Sequence, residues 1–183
     1  DSALNLEVNS GVTVKVNSGA LRNNGTIAVG IDGVIVVGEN GTLINNGTFD
    51  LLAFKDRVTI LGKFKDTSKT SLYVLETDVA GKVISYDTVN NVLGHENGTG
   101  WKDGMVYTLQ GVQSESDDVR LANLNESQNS ARSVVLDLNG ITLDMGNWDI
   151  IVNQNATLTI KDSFGGGYLR SKSAKVIHVM GGN

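Results

Sequence analysis

One run of residues is written twice in this chain, and the interval between the copies limits what it can fold into. Val14-Lys15-Val16-Asn17-Ser18-Gly19-Ala20-Leu21-Arg22-Asn23-Asn24-Gly25-Thr26-Ile27 returns as Val36-Val37-Gly38-Glu39-Asn40-Gly41-Thr42-Leu43-Ile44-Asn45-Asn46-Gly47-Thr48-Phe49. Gly19 and Gly41, Leu21 and Leu43, Asn23 and Asn45, and Gly25 and Gly47 are each 22 positions apart. A fixed period of this size is the mark of stacked repeats.

The inside of one repeat says what is stacked. Val12, Val14 and Val16 alternate with Thr13 and Lys15, the period-two pattern of a strand with one buried face. Asn17-Ser18-Gly19 and Asn23-Asn24-Gly25 then interrupt it, and Asn and Gly accept the left-handed backbone that tight turns need. Val and Ile dominate the apolar positions, and Gly or Asn recurs every few residues, which opposes helix. About three short strands per repeat, stacked turn on turn, make a coil whose backbone hydrogen bonds run to the coils above and below, about 4.8 Å away. Leu21 is then expected over Leu43 and Asn23 over Asn45. A hairpin explains any single Asn-Gly, but a meander has no reason to repeat side chain for side chain. The fold class expected is all-β: a parallel β-helix, or β-solenoid, with coils of about 22 residues, interrupted by an irregular, mostly-β insertion.

Three regions follow along the chain. N-terminal solenoid coils occupy 1–66; they pass through Val34 and Val58, where the period slips by two, and the pattern fails at Asp66-Thr67-Ser68-Lys69. An inserted or packed subdomain occupies 67–130. It carries strands at Leu72–Leu75, Lys82–Tyr86 and Met105–Leu109, a glycine-rich loop from Gly94 to Gly104 with His95, Asn97 and Trp101, and a short helix capped by Ser116-Asp117-Asp118 and running through Val119, Leu121 and Leu124. Coils return over 131–183, with Leu136 expected against Leu158 and Leu138 against Ile160. Because the chain stops at Gly181-Gly182-Asn183 in mid-pattern, and an open solenoid end needs a cap, the array is expected to continue or to meet another molecule there.

Composition narrows the chemistry. Proline is absent, as suits a chain whose N–H groups must donate to a neighbouring strand. Cysteine is absent too, which removes disulfides and thiolate chemistry. A net charge of −5 argues against nucleic-acid affinity, which needs a basic face. No apolar run approaches the roughly 20 residues of a membrane span. The chain opens at Asp1 without Met, as a mature or excised piece would.

Leu136-Asp137-Leu138-Asn139-Gly140-Ile141-Thr142-Leu143, with Asn155-Ala156-Thr157-Leu158-Thr159-Ile160-Lys161-Asp162-Ser163-Phe164-Gly165-Gly166-Gly167, resembles the repeats of bacterial secreted or surface proteins with a right-handed parallel β-helix, the pectate-lyase-like superfamily. The resemblance covers residues 131–183. It implies the fold; of function it says little, since the superfamily holds polysaccharide lyases and hydrolases, phage tailspikes and non-enzymatic adhesins.

Hydrolysis of a polysaccharide needs a pair of carboxylates at a set separation. Asp117 and Asp118 lie outside the recognisable coils and read as a solvated loop or cap. Asp137, alternating with Leu136 and Leu138, is expected to face outward; Asp144 and Asp149 are the other candidates. Gly94-His95-Glu96 does not match the superfamily's catalytic strings, so no catalytic residue is carried over. Asp162-Ser163 and Asp103-Gly104 are generic oxygen-rich turns; His95 and His178 have no metal-ligand neighbours, and neither a metal nor another cofactor is expected. Thr13, Thr157 and Thr159 do not form the regular exposed array of an ice-binding face. Asn24-Gly25-Thr26 and Asn46-Gly47-Thr48 read as turn and ladder residues rather than glycan acceptors. Trp101 is the binding candidate, as an exposed aromatic plate for sugar or else as a core anchor, whereas Trp148 shares parity with Ile150 and Val152 and is expected to be buried.

The expectation is a non-enzymatic structural or adhesive module of an extracellular or cell-surface bacterial protein, with a polysaccharide or host-surface ligand, or self-association through the open solenoid end. The alternative is a fragment of a carbohydrate-active β-helix enzyme or a phage tailspike depolymerase.

Overall fold

Alternating Val and Ile cannot bury one face alone, and here they bury it by stacking. The computed structural model describes residues 5–96, 98–114, 119–126 and 132–181, and it is a β-solenoid of about 7 turns with coils of about 22 residues. In the first coil β1 (Leu6–Val8) leads to β2 (Thr13–Asn23), in the second β3 (Thr26–Val29) leads to β4 (Val34–Asn45), and in the third β5 (Thr48–Phe49) leads to β6 (Val58–Ile60) and β7 (Lys63–Asp66). β1, β3 and β5 form one parallel sheet; β2, β4 and the pair β6 and β7 form another. Leu21 lies against Leu43 and Asn23 against Asn45, the register that the 22-residue spacing predicts. Val58 pairs with Ile35 rather than Val34, which keeps Ile35, Val37, Val58 and Ile60 together inside.

The asparagines form a buried ladder. Asn23 Nδ2 donates to Asn45 Oδ1 at 2.7 Å, and Asn45 Nδ2 donates to Asp66 Oδ1 at 3.0 Å. Asp66 is thus the third rung rather than the place where the pattern fails. Ser68 N and Oγ donate to its Oδ1 at 2.9 and 2.5 Å, and Tyr86 Oη donates to its Oδ2 at 2.7 Å. Burial and the neighbouring Asp66 carboxylate push the Tyr86 phenol well up, so it remains a donor. An outward ladder runs beside it: Asn46 Nδ2 donates to Asn24 Oδ1 at 2.8 Å, and Thr67 Oγ1 donates to Asn46 Oδ1 at 2.6 Å.

Past the third coil the chain turns back on itself. β8 (Leu72–Thr77) and β9 (Val83–Thr88) pair antiparallel, and Ile60 N donates to Gly81 O at 2.8 Å, docking the hairpin on β6. β8 is a wall between two cores. Its Leu72 and Val74 belong to the C-terminal apolar cluster, its Leu75 to the N-terminal one with Val83 and Tyr86. Period-two alternation with both faces apolar produces that division.

After α1 (Val89–Leu93) and the loop, β10 (Val106–Gly111) pairs antiparallel with β8 and parallel with β11 (Ser133–Asp137). The second half of region 67–130 therefore stacks on the C-terminal coils without sharing their sequence period. Two glutamine amides replace backbone where strands are missing. Gln110 accepts from Asp66 N at 2.7 Å and donates to Phe64 O at 2.9 Å. Gln113 accepts from Asp144 N at 2.8 Å and donates to Asp144 O at 2.6 Å.

In the C-terminal coils β12 (Thr142–Asp144) and β13 (Ile150–Asn153) follow β11, and β14 (Thr157–Lys161), β15 (Tyr168–Arg170) and β16 (Ile177–Met180) stack on them in parallel. Three expectations are corrected here. Leu136 meets Ile160, and Leu158 meets Val134; a shift of two residues preserves which face is buried, so hydrophobic pattern alone does not fix it. Val119–Leu124 is not helical. Ala122 N donates to Leu93 O and Leu124 N to Ile151 O, so these donors serve neighbouring chain. The helix is α1, where Thr88 Oγ1 caps Asn91 N at 3.4 Å. Asp137 does not face solvent: it is 2% exposed, covered by the next coil. Asn97, Ser116, Asp117 and Asp118 lie outside the described residues.

Candidate functional site

Of the two roles open to Trp101 the structure shows the core anchor, and Trp148, expected to be buried, is the more exposed of the two tryptophans. Trp101 is buried, its indole N–H donates to Ala122 O at 2.6 Å, and Tyr107 meets its ring edge-on with centroids 5.1 Å apart. It anchors the glycine-rich loop to the core and presents no plate. Trp148 remains 36% exposed. The parity argument does not reach it, because β13 begins only at Ile150; Trp148 sits in the turn before, its N–H donating to Met145 O at 2.9 Å.

Trp148 forms one wall of a cleft of about 230 Å³, with Asn90, Asn91, Gly94, His95, Glu96 and Arg120 around it. Backbone pairing assembles these distant residues. Gly94 bridges Leu121, His95 N donates to Arg120 O at 2.9 Å, and Leu124 bridges Val152 in the coil that carries Trp148. Arg120 lies over the indole with its guanidinium carbon 4.2 Å from the ring centroid, a cation–π arrangement. Its Nη1 is 3.5 Å from Glu96 Oε1, and its Nη2 is 3.4 Å from His95 Nε2. A guanidinium only donates, so His95 Nε2 can take part in a hydrogen bond with it only as the acceptor; Nδ1 is buried with no hydrogen-bond partner among the described residues.

A second recess of about 230 Å³ lies where the N-terminal and C-terminal coils meet, lined by Phe64, Thr108, Asp137, Asn139 and Lys161 among others. Asn139 Nδ2 ties the two halves together, donating to Phe64 O at 3.0 Å and Leu109 O at 2.8 Å.

The candidate carboxylates join coil to coil. Asp137 accepts from Asn139 N at 3.0 Å, from Ser163 N at 2.9 Å and from Ser163 Oγ at 2.5 Å, with Lys161 Nζ 3.4 Å away. Asp144 pairs with Arg170 at 2.7 Å and accepts from Gly146 N; these contacts hold its pKa below the usual carboxylate range, Gly146 contributing most. Asp162 accepts from Gly140 N at 2.6 Å and Gly167 N at 2.7 Å. Burial alone raises its pKa, yet those N–H groups, with Gly165 N and Lys65, outweigh it and hold the carboxyl low. Asp103 clamps Ser133 N and Arg132 N and is lowered by them. Asp149 lies 4.0 Å from His178 Nδ1. Among the described residues no three His, Asp or Glu side chains converge as a metal-binding group, and no helix is long and apolar enough to cross a membrane.

Sequence reasoning took His95 with Glu96 in one string and Trp148 separately, and passed over Arg120, Asn90 and Asn91. The signal available was local: a His-Glu pair in a glycine-rich loop. Their meeting depends on pairing between segments remote in sequence. No family model matches the chain, and no curated protein or solved structure matches it.

Proposed function

We propose that this chain is a rigid, non-enzymatic structural and adhesive module of an extracellular bacterial surface protein. The observation that carries the reading is the use made of Asp137, Asp144 and Asp162. Each is held by hydrogen bonds from the following or preceding coil, the geometry of staples rather than of an acid and a base flanking a scissile bond. The buried Asn23–Asn45–Asp66 ladder adds a row of satisfied amides along the other end of the tube, and satisfied polar networks rigidify a core. The resemblance of residues 131–183 to bacterial secreted repeats supports the location. The test is incubation with neutral and acidic polysaccharides, followed by assay for new reducing or unsaturated ends. No release is expected. Turnover abolished by Asp137→Asn or Asp144→Asn overturns the reading in favour of a carbohydrate-active enzyme.

A further inference from the structure

We infer that the cleft between Asn91, His95, Glu96, Arg120 and Trp148 holds one residue of a neutral saccharide chain; this rests on the adhesive reading above and names its ligand class. Trp148 keeps a third of its surface open in a concave wall, where a large aromatic side chain ordinarily lies buried. Arg120 occupies one face of the ring and fixes the indole before any ligand arrives, which lowers the ordering cost of binding; a ligand meets the part of the ring that stays exposed. The C–H faces of a sugar ring are apolar and weakly positive and complement the negative face of an aromatic ring.

The rest of the wall suits hydroxyl groups, which both donate and accept. Glu96 accepts, Arg120 donates, and the Asn91 amide does both. Glu96 is an exposed partner, its side chain 74% accessible, at a loose 3.5 Å from Arg120, so a ligand hydroxyl can enter between them. Charge chooses among saccharides. The single guanidinium is already faced by a carboxylate, and the chain carries −5 overall, a field that repels a polyanion. At about 230 Å³ the cleft falls below the roughly 300–1,000 Å³ of drug-sized sites, matching one sugar unit rather than an oligosaccharide buried along its length.

The experiment uses the whole chain with cellohexaose, xylohexaose and chitohexaose as neutral probes and a galacturonate hexamer as the acidic one, read by calorimetry and tryptophan fluorescence. Saturable binding of at least one neutral probe is expected, with a fluorescence change that persists in Trp101→Phe because Trp101 is buried. Trp148→Ala is expected to weaken binding by about tenfold or more, and Asn91→Ala and Glu96→Gln by about threefold each. The latter two sit at exposed positions and decide the matter should Trp148→Ala unfold the coil. Failure of all three neutral probes at millimolar concentration, binding of the acidic probe alone, or unchanged affinity in the variants overturns the inference. None of those results bears on the module reading, which fails only by turnover of polysaccharide.

Discussion

In the N-terminal coils the side chain that joins one turn to the next is an amide, Asn23 to Asn45; in the C-terminal coils it is a carboxylate, Asp137 to Ser163 and Asp162 to Gly140. Both regions stack parallel strands around an apolar interior. An amide both donates and accepts, so it can pair with its own copy, and Asn returns at the first two rungs before Asp66 ends the ladder as an acceptor. A carboxylate only accepts, so its partner must be something else, and the repeat is blurred. The N-terminal half therefore advertises its period in sequence, whereas the C-terminal half conceals part of its own.

The sharpest way to break the comparison is at the glycines of the repeated stretch. A Cβ on Gly41 would lie 1.8 Å from Val16 O, a backbone atom that has nowhere to go, whereas a Cβ on Gly19 meets nothing within 4 Å. Gly41→Ala is expected to destabilise by more than about 3 kcal/mol or to part the coils. Gly19→Ala carries only the strain of its φ of +72°, about 1 kcal/mol. Urea unfolding measures both, and equal losses would contradict the stacked register.

Next come two leucines of one strand. Leu72→Ala and Leu75→Ala are each expected to cost about 2–5 kcal/mol. Hydrogen exchange distinguishes them: Leu75→Ala loosens β4 through β7, and Leu72→Ala loosens β10 through β13, because β8 divides the cores. Identical exchange patterns would mean one core rather than two.

Smaller effects separate the two ladders. Asn45→Ala strips a buried rung of its bonds to Asn23, Gly47 and Asp66, and about 1–3 kcal/mol is expected. The adjacent exposed Asn46→Ala is expected to stay within about 0.5 kcal/mol; thermal denaturation of the pair checks the contrast.

The smallest response is to pH. Asp144 and Asp162 have folded pKa values below the ordinary range. Their stabilisation is present above the unfolded carboxylate pKa near about 3.9 and is lost as pH falls through the lower folded values. Asn23 and Asn45 do not titrate. Acid is therefore expected to lower the exchange protection of β11 to β15 before that of β2 to β4, and Asp162→Asn is expected to flatten the acid limb of the melting curve.

How much was legible follows from these residues. The coil architecture and the Asn23–Asn45 pairing were readable because copies stacked in register must repeat in sequence. Asp66 was unreadable as a rung because Asp-Thr-Ser replaces Asn-Asn-Gly while performing the same hydrogen bonding. The shift of Leu136 to Ile160 was unreadable because parity survives a step of two. The residues around Trp101 leave plate and core anchor both open because it lies in a loop, and parity misplaces Trp148 because it lies just ahead of its strand, where alternation carries no information about burial.

The sequence by itself determined the repeating unit: β-branched alternation, Asn-Gly turns and a 22-residue interval leave stacking as the way to bury one face of every strand and pair its backbone. Tertiary structure decided what repetition does not encode. It made β8 the wall between two cores, turned Asp137 and Asp162 into staples, and brought His95, Arg120 and Trp148 from three remote segments to one cleft. The physical reason is reach: periodicity reports a residue's own strand and its copy, while packing between unlike segments is fixed only when the whole chain has closed.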